Sequence, residues 1–215
     1  MNNISANIDN IFLDINQIIE EYSVNKNITL IAVSKKKSVE AIKIAYESGQ
    51  RDFGENYLQE SVEKIKALKD LNINYLTVHI SSGLAALKAV KKASKSNTKI
   101  VGVTTLTSLN NKDLKLVGYN KSIKNLVVHQ AKLAKKANLD AIVCSAQEVK
   151  IVKKIFKKEI ITPGIRINSK TDDQKRVLTP KQAFKNGAHS LVIGRNITKG
   201  DIKKNIQTLI DHLNQ

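Results

Sequence analysis

Seven times in 215 residues, a short and continuously apolar run gives way to a stretch with helical spacing. The apolar runs are ITLIAVSK (28–35), the start of RDFGENYLQE (51–60), INYLTVH (73–79), TKIVGVTTLTS (98–108), LDAIVCS (139–145), EIITPGIR (159–166) and HSLVIGR (189–195). They do not alternate between apolar and polar positions, so they read as parallel strands covered on both faces. Between them lie helical stretches. The lead-in helix (4–22) places Ile4, Ile8, Ile11, Ile15, Ile18 and Ile19 on one face, and the next (38–49) has Ser38 as N-cap and Gly49 as its stop. Others follow at 61–71, 83–95, 110–136, 146–158, 179–187 and about 200–213. No Pro/Gly/Ser-rich seam divides the chain, so residues 1–215 read as a single unit. The regular alternation predicts an α/β fold, a (β/α) TIM-type barrel with its site in the loops at the strand C-termini. The barrel is expected to be incomplete, because seven strand units are readable where a closed barrel has eight.

Within that frame, residues 160–195 stand out. They hold both prolines, Pro163 and Pro180, and three of the four arginines, Arg166, Arg176 and Arg195. A guanidinium presents a rigid fork of donors that matches phosphate oxygens, which lysine cannot reproduce. Two of the arginines close apolar runs, IITPGIR and SLVIGR, with a glycine shortly before. Such strand ends suit a phosphate, glycine letting the backbone approach and arginine supplying charge. The alternative reading is surface arginines at turns.

The formal net charge of +17 invites a nucleic-acid role. The lysines, however, spread along helical segments such as KAVKKASK and HQAKLAKKAN, where they read as solvated faces. Aromatic residues make up only 4%, too few to interleave with a basic patch and stack bases. Weak polyanion binding is expected, and no specific nucleic-acid partner. The single cysteine, Cys144, lies in the apolar run AIVCS and reads as a buried thiol. No Cys/His/Asp cluster has ligand spacing, so no metal is indicated. No signal pattern or membrane-length apolar run occurs, so a soluble, cytoplasmic protein is expected.

From about residue 74 to 215 the chain resembles orotidine 5′-phosphate decarboxylase. The matching stretches are VHISSGLAAL, VTTLTSLNNKDL, LAKKANLDAIVCSAQE, ITPGIR, DDQKRVLTP and VIGRNIT. The resemblance implies that Thr107, Arg166, Gln174, Gly194 and Arg195 hold a nucleotide of the UMP/OMP type, in a reaction of pyrimidine biosynthesis that needs no cofactor. Two positions depart from the family's pattern: Ile167 and Asn196 stand where prolines are usual. The family's reactive groups, an Asp-x-Lys-x-x-Asp motif on the third strand with a Lys and an Asp on earlier strands, would lie upstream. No Asp-x-Lys-x-x-Asp occurs anywhere in the chain, so no catalytic residue is identified.

Residues 1–72 resemble instead the pyridoxal-phosphate homeostasis proteins, also barrels, through AVSK and FGENY-QE within 28–68. That resemblance implies pyridoxal 5′-phosphate as cofactor, Lys35 as its Schiff-base lysine, and Asn56 and Tyr57 near the cofactor. By spacing alone Lys35 is one member of a solvated SKKK run. The two resemblances meet near residues 72–75, as in a fusion of a segment 1–72 with a segment 73–215. Three readings follow: a nucleotide-binding relative of the decarboxylase, a non-catalytic carrier of pyridoxal phosphate, and a fusion without function. His79 reads as a structural hydrogen-bonding group first and a catalytic candidate second. The resemblance to the decarboxylases, which dimerise as many relatives of this barrel do, implies a homodimer, but that interface would draw an Asp from the segment lacking here, so the oligomeric state stays open.

Overall fold

The computed structural model describes residues 3–21, 28–54, 64, 67, 74–94, 98–166 and 178–214. Seven strands appear in chain order: β1 (Ile31–Val33), β2 (Asp52–Gly54), β3 (Tyr75–His79), β4 (Lys99–Val103), β5 (Ala141–Val143), β6 (Glu159–Thr162) and β7 (Ser190–Leu191). Each lies within its expected apolar run but is shorter than it. The helices are α1 (Ile4–Glu21), α2 (Val39–Glu47), α3 (Leu84–Ala93), α4 (Asn111–Leu116), α5 (Ile123–Lys136), α6 (Val149–Ile155), α7 (Pro180–Asn186), α8 (Arg195–Thr198) and α9 (Ile202–Asn214). Lys64 and Ala67, within the expected helix 61–71, are helical. Local chemistry sets several boundaries. Ser38 caps α2 by accepting from the Ala41 N–H, Gly49 turns away after it at φ 91°, and Thr179 and Gln182 form a capping box around Pro180.

All pairings are parallel and follow sequence order, as in the wall of a (β/α) barrel. The wall is interrupted. β1 pairs with β2, and β3 to β7 form a second sheet, with no ladder between β2 and β3 or between β7 and β1 among the described residues. One backbone hydrogen bond crosses the first break, from the Asn74 N–H to the Arg51 carbonyl (3.1 Å). The described residues thus form a parallel α/β wall consistent with the expected barrel.

Strand alternation sorts the side chains into two layers. Ile100, Ile142 and Ile160 face the helices and join Val127, Ala131, Val152 and Phe156 in the main core. Val101, Ala141 and Ile161 point the other way and meet inside the wall. Gly102 marks a close approach: a Cβ there would sit 2.7 Å from Leu139 Cδ1 and 2.9 Å from Ile80 Cδ1, and both side chains are fully buried. Phe53, Ile42, Ala45 and Ile8 make a separate cluster over β1 and β2.

The second break is spanned by helices. Ile15 and Ile18 of α1 pack on Ile206 and Ile210 of α9, with Ile28, Leu30, Ile197 and Ile202 against them. Lys203 and Glu21 add an ion pair at 2.8 Å on the rim. This joins the first and last helices of the chain where strand hydrogen bonds do not.

At the strand N-termini, polar groups close the floor of the wall. Lys99 Nζ donates to Glu159 Oε2 (3.0 Å) and to the Tyr75 hydroxyl (3.1 Å), and that hydroxyl donates to Glu159 Oε1 (3.0 Å). Asp52 lies nearby, its carboxyl held above the usual range by burial, with Asn74 and Lys99 opposing. In barrels this face serves stability.

Two outcomes test this picture. Ile18 is fully buried in the α1–α9 cluster, so Ile18→Ala is expected to cost about 2–5 kcal/mol, read from the denaturant midpoint at unchanged slope. In the floor cluster, burial raises the Tyr75 hydroxyl above its ordinary 10.0, while the hydrogen bonds that the Lys99 ammonium donates to Tyr75 and Glu159 raise it above 10.5. Both groups therefore hold their protons more tightly when folded. Their contribution is full below about pH 10 and is lost as pH rises through the folded values. The melting temperature should fall above pH 10, and Glu159→Gln should flatten that fall.

Candidate functional site at the strand C-termini

Because every strand is parallel, the strand C-termini share one face, and the candidate residues of distant segments come to one mouth. On β1 the chain leaves through Ser34, whose N–H donates to the Gly54 carbonyl (3.0 Å). The Ser34 carbonyl accepts from Lys64 Nζ (2.8 Å) and from the Lys37 N–H (3.0 Å). The intervening turn carries Lys36 at φ 59°. This fixes Lys35 at the strand end with its side chain exposed.

His79 ends β3 and points to the interior face shared with Tyr75 and Thr77. Burial first, and then the charge of Lys35, lower its pKa below the ordinary 6.5. The imidazole is thus neutral at pH 7, and Lys35 is close enough to act on it. β1 and β3 therefore bring an ammonium and a neutral imidazole to the same mouth.

After β4 the chain is braced from beneath. Thr104 continues the pairing, its N–H and Oγ1 both donating to the Val143 carbonyl (3.0 and 2.8 Å). Thr105 donates from N–H and Oγ1 to Gln130 Oε1 (2.9 and 3.0 Å). Gln130 sits on α5 and is buried among Leu126, Val127, Ala131 and Ala134. Thr107 follows two residues later, itself buried. Gln130 is a functional support that sequence reading passed over. A polar residue on the apolar stripe of a helix was the available signal.

The anion-binding features gather after β6 and β7. Arg166 follows Ile165, which bridges to Leu178, and its N–H donates to the Leu178 carbonyl (3.2 Å). Its Nη1 lies 3.5 Å from the Ile165 carbonyl and from Asn196 Oδ1. Its Nη2 is buried with no hydrogen-bond partner among the described residues. A buried guanidinium nitrogen without an acceptor is costly unless an anion meets it. Arg195 does not close the last strand as expected: β7 ends at Leu191, and Arg195 begins the short helix α8, with Gly194 as its N-cap. A Cβ on Gly194 would meet nothing within 4 Å, so the open space there lies outside the protein's own packing. The Arg166–Asn196 contact places Arg166, Gly194 and Arg195 together. Thr107, two strands away, makes no described contact with them. Asn56, Tyr57 and Gln174 lie outside the described residues. Cys144 is buried, as its apolar run implied. Among the described residues no three His, Cys, Asp or Glu side chains gather, and no helix is long and apolar enough to cross a membrane.

Residues 52–205 match the model of the orotidine 5′-phosphate decarboxylase / HUMPS family. The chain belongs to this family. The match begins within β2, upstream of the stretch from which the resemblance was read. An orotidine 5′-phosphate decarboxylase of Wolbachia sp. subsp. Brugia malayi (strain TRS) is 46% identical over 149 residues, 68% of this chain and 66% of that protein. One from Erythrobacter litoralis (strain HTCC2594) is 49% identical over 128 residues, 59% of this chain and 57% of that protein. The chain thus spans less than two thirds of the length of the curated relatives it matches. Among solved structures, orotidine 5′-phosphate decarboxylase from Lactobacillus acidophilus superposes with a TM-score of 0.66 at 27% identity, covering 83% of this chain and 82% of that one. An uncharacterized conserved protein from Geobacillus kaustophilus superposes at 0.65 over 94% of both chains, but at 18% identity it speaks to the fold alone.

The Lys35–His79 proximity has a direct readout. By NMR, His79 should titrate below 6.5, and Lys35→Met should raise its pKa while leaving the part due to burial. Because the folded chain binds this proton less readily than the unfolded chain, the associated stability is lost as pH falls below 6.5.

Proposed function

We propose that the chain is an orotidine 5′-phosphate decarboxylase-like protein, cytoplasmic, that binds a nucleotide of the UMP/OMP type and has lost most or all turnover. One observation carries the binding half: Arg166 presents a buried Nη2 without an acceptor, next to Asn196 at the start of α8. Arg195 immediately precedes Asn196 in the chain, and its guanidinium is the second phosphate ligand of this reading. The family's phosphate-holding positions Thr107, Arg166, Gln174, Gly194 and Arg195 are all present in the sequence. The reactive half is argued from sequence: the chain contains no Asp-x-Lys-x-x-Asp. Groups that act mainly in the transition state contribute to rate more than to binding, so their loss leaves affinity and removes turnover.

The second reading rests on Lys35. It is exposed at the end of β1 beside His79, an amine at the same mouth as the arginines. Pyridoxal 5′-phosphate has an aldehyde for such an amine and a phosphate for the arginines.

Thermal unfolding with each ligand separates the readings. A ligand at about 100 times its Kd stabilises the folded chain by about 2.7 kcal/mol, enough to raise the melting temperature by several degrees. A UMP-type inhibitor should produce that rise, Arg166→Ala should abolish it, and orotidine 5′-phosphate should not be consumed. A rise with pyridoxal phosphate instead, lost in Lys35→Ala together with an imine absorbance, would replace this reading with the carrier. Ready turnover of orotidine 5′-phosphate would refute the claim of lost catalysis.

A further inference from the structure

We propose that the face opposite the mouth binds the phosphate backbone of a nucleic acid without regard to sequence. The argument begins with topology. Helices that connect parallel strands run antiparallel to them, so the C-termini of α3, α5 and α6 lie around the strand N-termini. The hydrogen bonds agree: Lys91 in the last turn of α3 reaches Asp140, just before β5, at 2.5 Å. Each of these helices ends in a lysine pair, Lys91 and Lys92, Lys135 and Lys136, Lys153 and Lys154, and Lys157 follows α6. Except for Lys91, these side chains are exposed.

A lysine near a helix C-terminus is favourable by itself. That accounts for one per helix, and does not account for pairs on three neighbouring helices with few acids between them. The two acids described in this sector are already engaged, Asp140 with Lys91 and Glu159 with Lys99 (3.0 Å). The arc also has an edge. Over β1 and β2 the corresponding helix end carries Glu47, and α9 carries Asp211 near its end. This sector therefore presents six exposed lysines, Lys92, Lys135, Lys136, Lys153, Lys154 and Lys157.

The chemistry selects the partner. The exposed large apolar side chains described for this chain are Leu13 on α1 and, on strand C-termini or the segments that follow them, Val33, Leu106, Leu116, Val117, Tyr119 and Val192. None lies on the lysine arc, so the arc has charge without the apolar groups that enter a lipid surface. It also lacks an aromatic platform for unpaired bases. Ammonium groups without either feature suit the regular phosphates of a duplex, and read no sequence.

The test is fluorescence anisotropy of the full chain with RNA and DNA duplexes of scrambled sequence, titrated over potassium chloride. If about four phosphates are neutralised, affinity should fall by roughly 100-fold between about 50 and 200 mM salt. Lys135→Gln, Lys136→Gln, Lys153→Gln and Lys154→Gln together should remove most of that slope. A control with Lys112, Lys115, Lys121 and Lys124 changed to Gln loses the same charge at the other end of the barrel, and should bind within about 2-fold of the parent. Melting temperatures near the parent's confirm that both variants fold. Binding to RNA, DNA or both with this pattern supports the assignment and names the source of the phosphates. Equal loss in both variants would overturn it in favour of diffuse net charge. Absence of duplex binding at low salt, or stronger binding to vesicles containing phosphatidylserine, would overturn it as well.

Discussion

The packing of α1 on α9 is the contact on which the architecture depends. The strands supply two parallel sheets, and a single described backbone hydrogen bond links them at Asn74 and Arg51. One such bond contributes about 1 kcal/mol net, too little to hold a two-stranded sheet against a five-stranded one. The isoleucines Ile15, Ile18, Ile206 and Ile210 are at most 8% exposed. Burying each contributes on the order of 1.5–3 kcal/mol. The same cluster takes in Ile28 and Leu30, which lead into β1, and Ile197 of α8. It therefore ties the strand that positions Lys35 to the helix that begins with Arg195. A mouth assembled from both ends of the chain exists because these helices meet.

The sequence made the wall legible and left its closure unread. Apolar runs and helical periodicity are local signals, and all seven strands and the major helices lie where those signals place them. What one helix stripe packs against is not local. The isoleucine pattern of 4–22 announces a buried face, yet nothing in it names α9 almost two hundred residues later as the partner. The floor cluster was hidden for the same reason. Tyr75, Lys99 and Glu159 each look like a polar residue at the start of an apolar run, and only pairing across three strands brings them together. At the site, residue type carried more information than position. The scarcity of arginine pointed to Arg166, whose buried and unpartnered nitrogen the structure then supplied. The short helix α8 was misread as the end of a strand, because VIGR is apolar and β-rich while its geometry is set by Gly194.

The electrostatics of the mouth bear on why binding and turnover can separate in such a chain. Decarboxylation needs a site that disfavours the substrate carboxylate and favours the carbanion left behind, which calls for negative and positive groups arranged in alternation. Among the described residues, Lys35 at the end of β1 and Arg166 and Arg195 in the segments after β6 and β7 are cationic. Such groups stabilise a bound phosphate and a bound carboxylate alike. Interactions of that kind deepen the ground state as much as the transition state, and leave the barrier between them unchanged. His79 does not correct this, since an imidazole, neutral or protonated, carries no negative charge to repel a carboxylate.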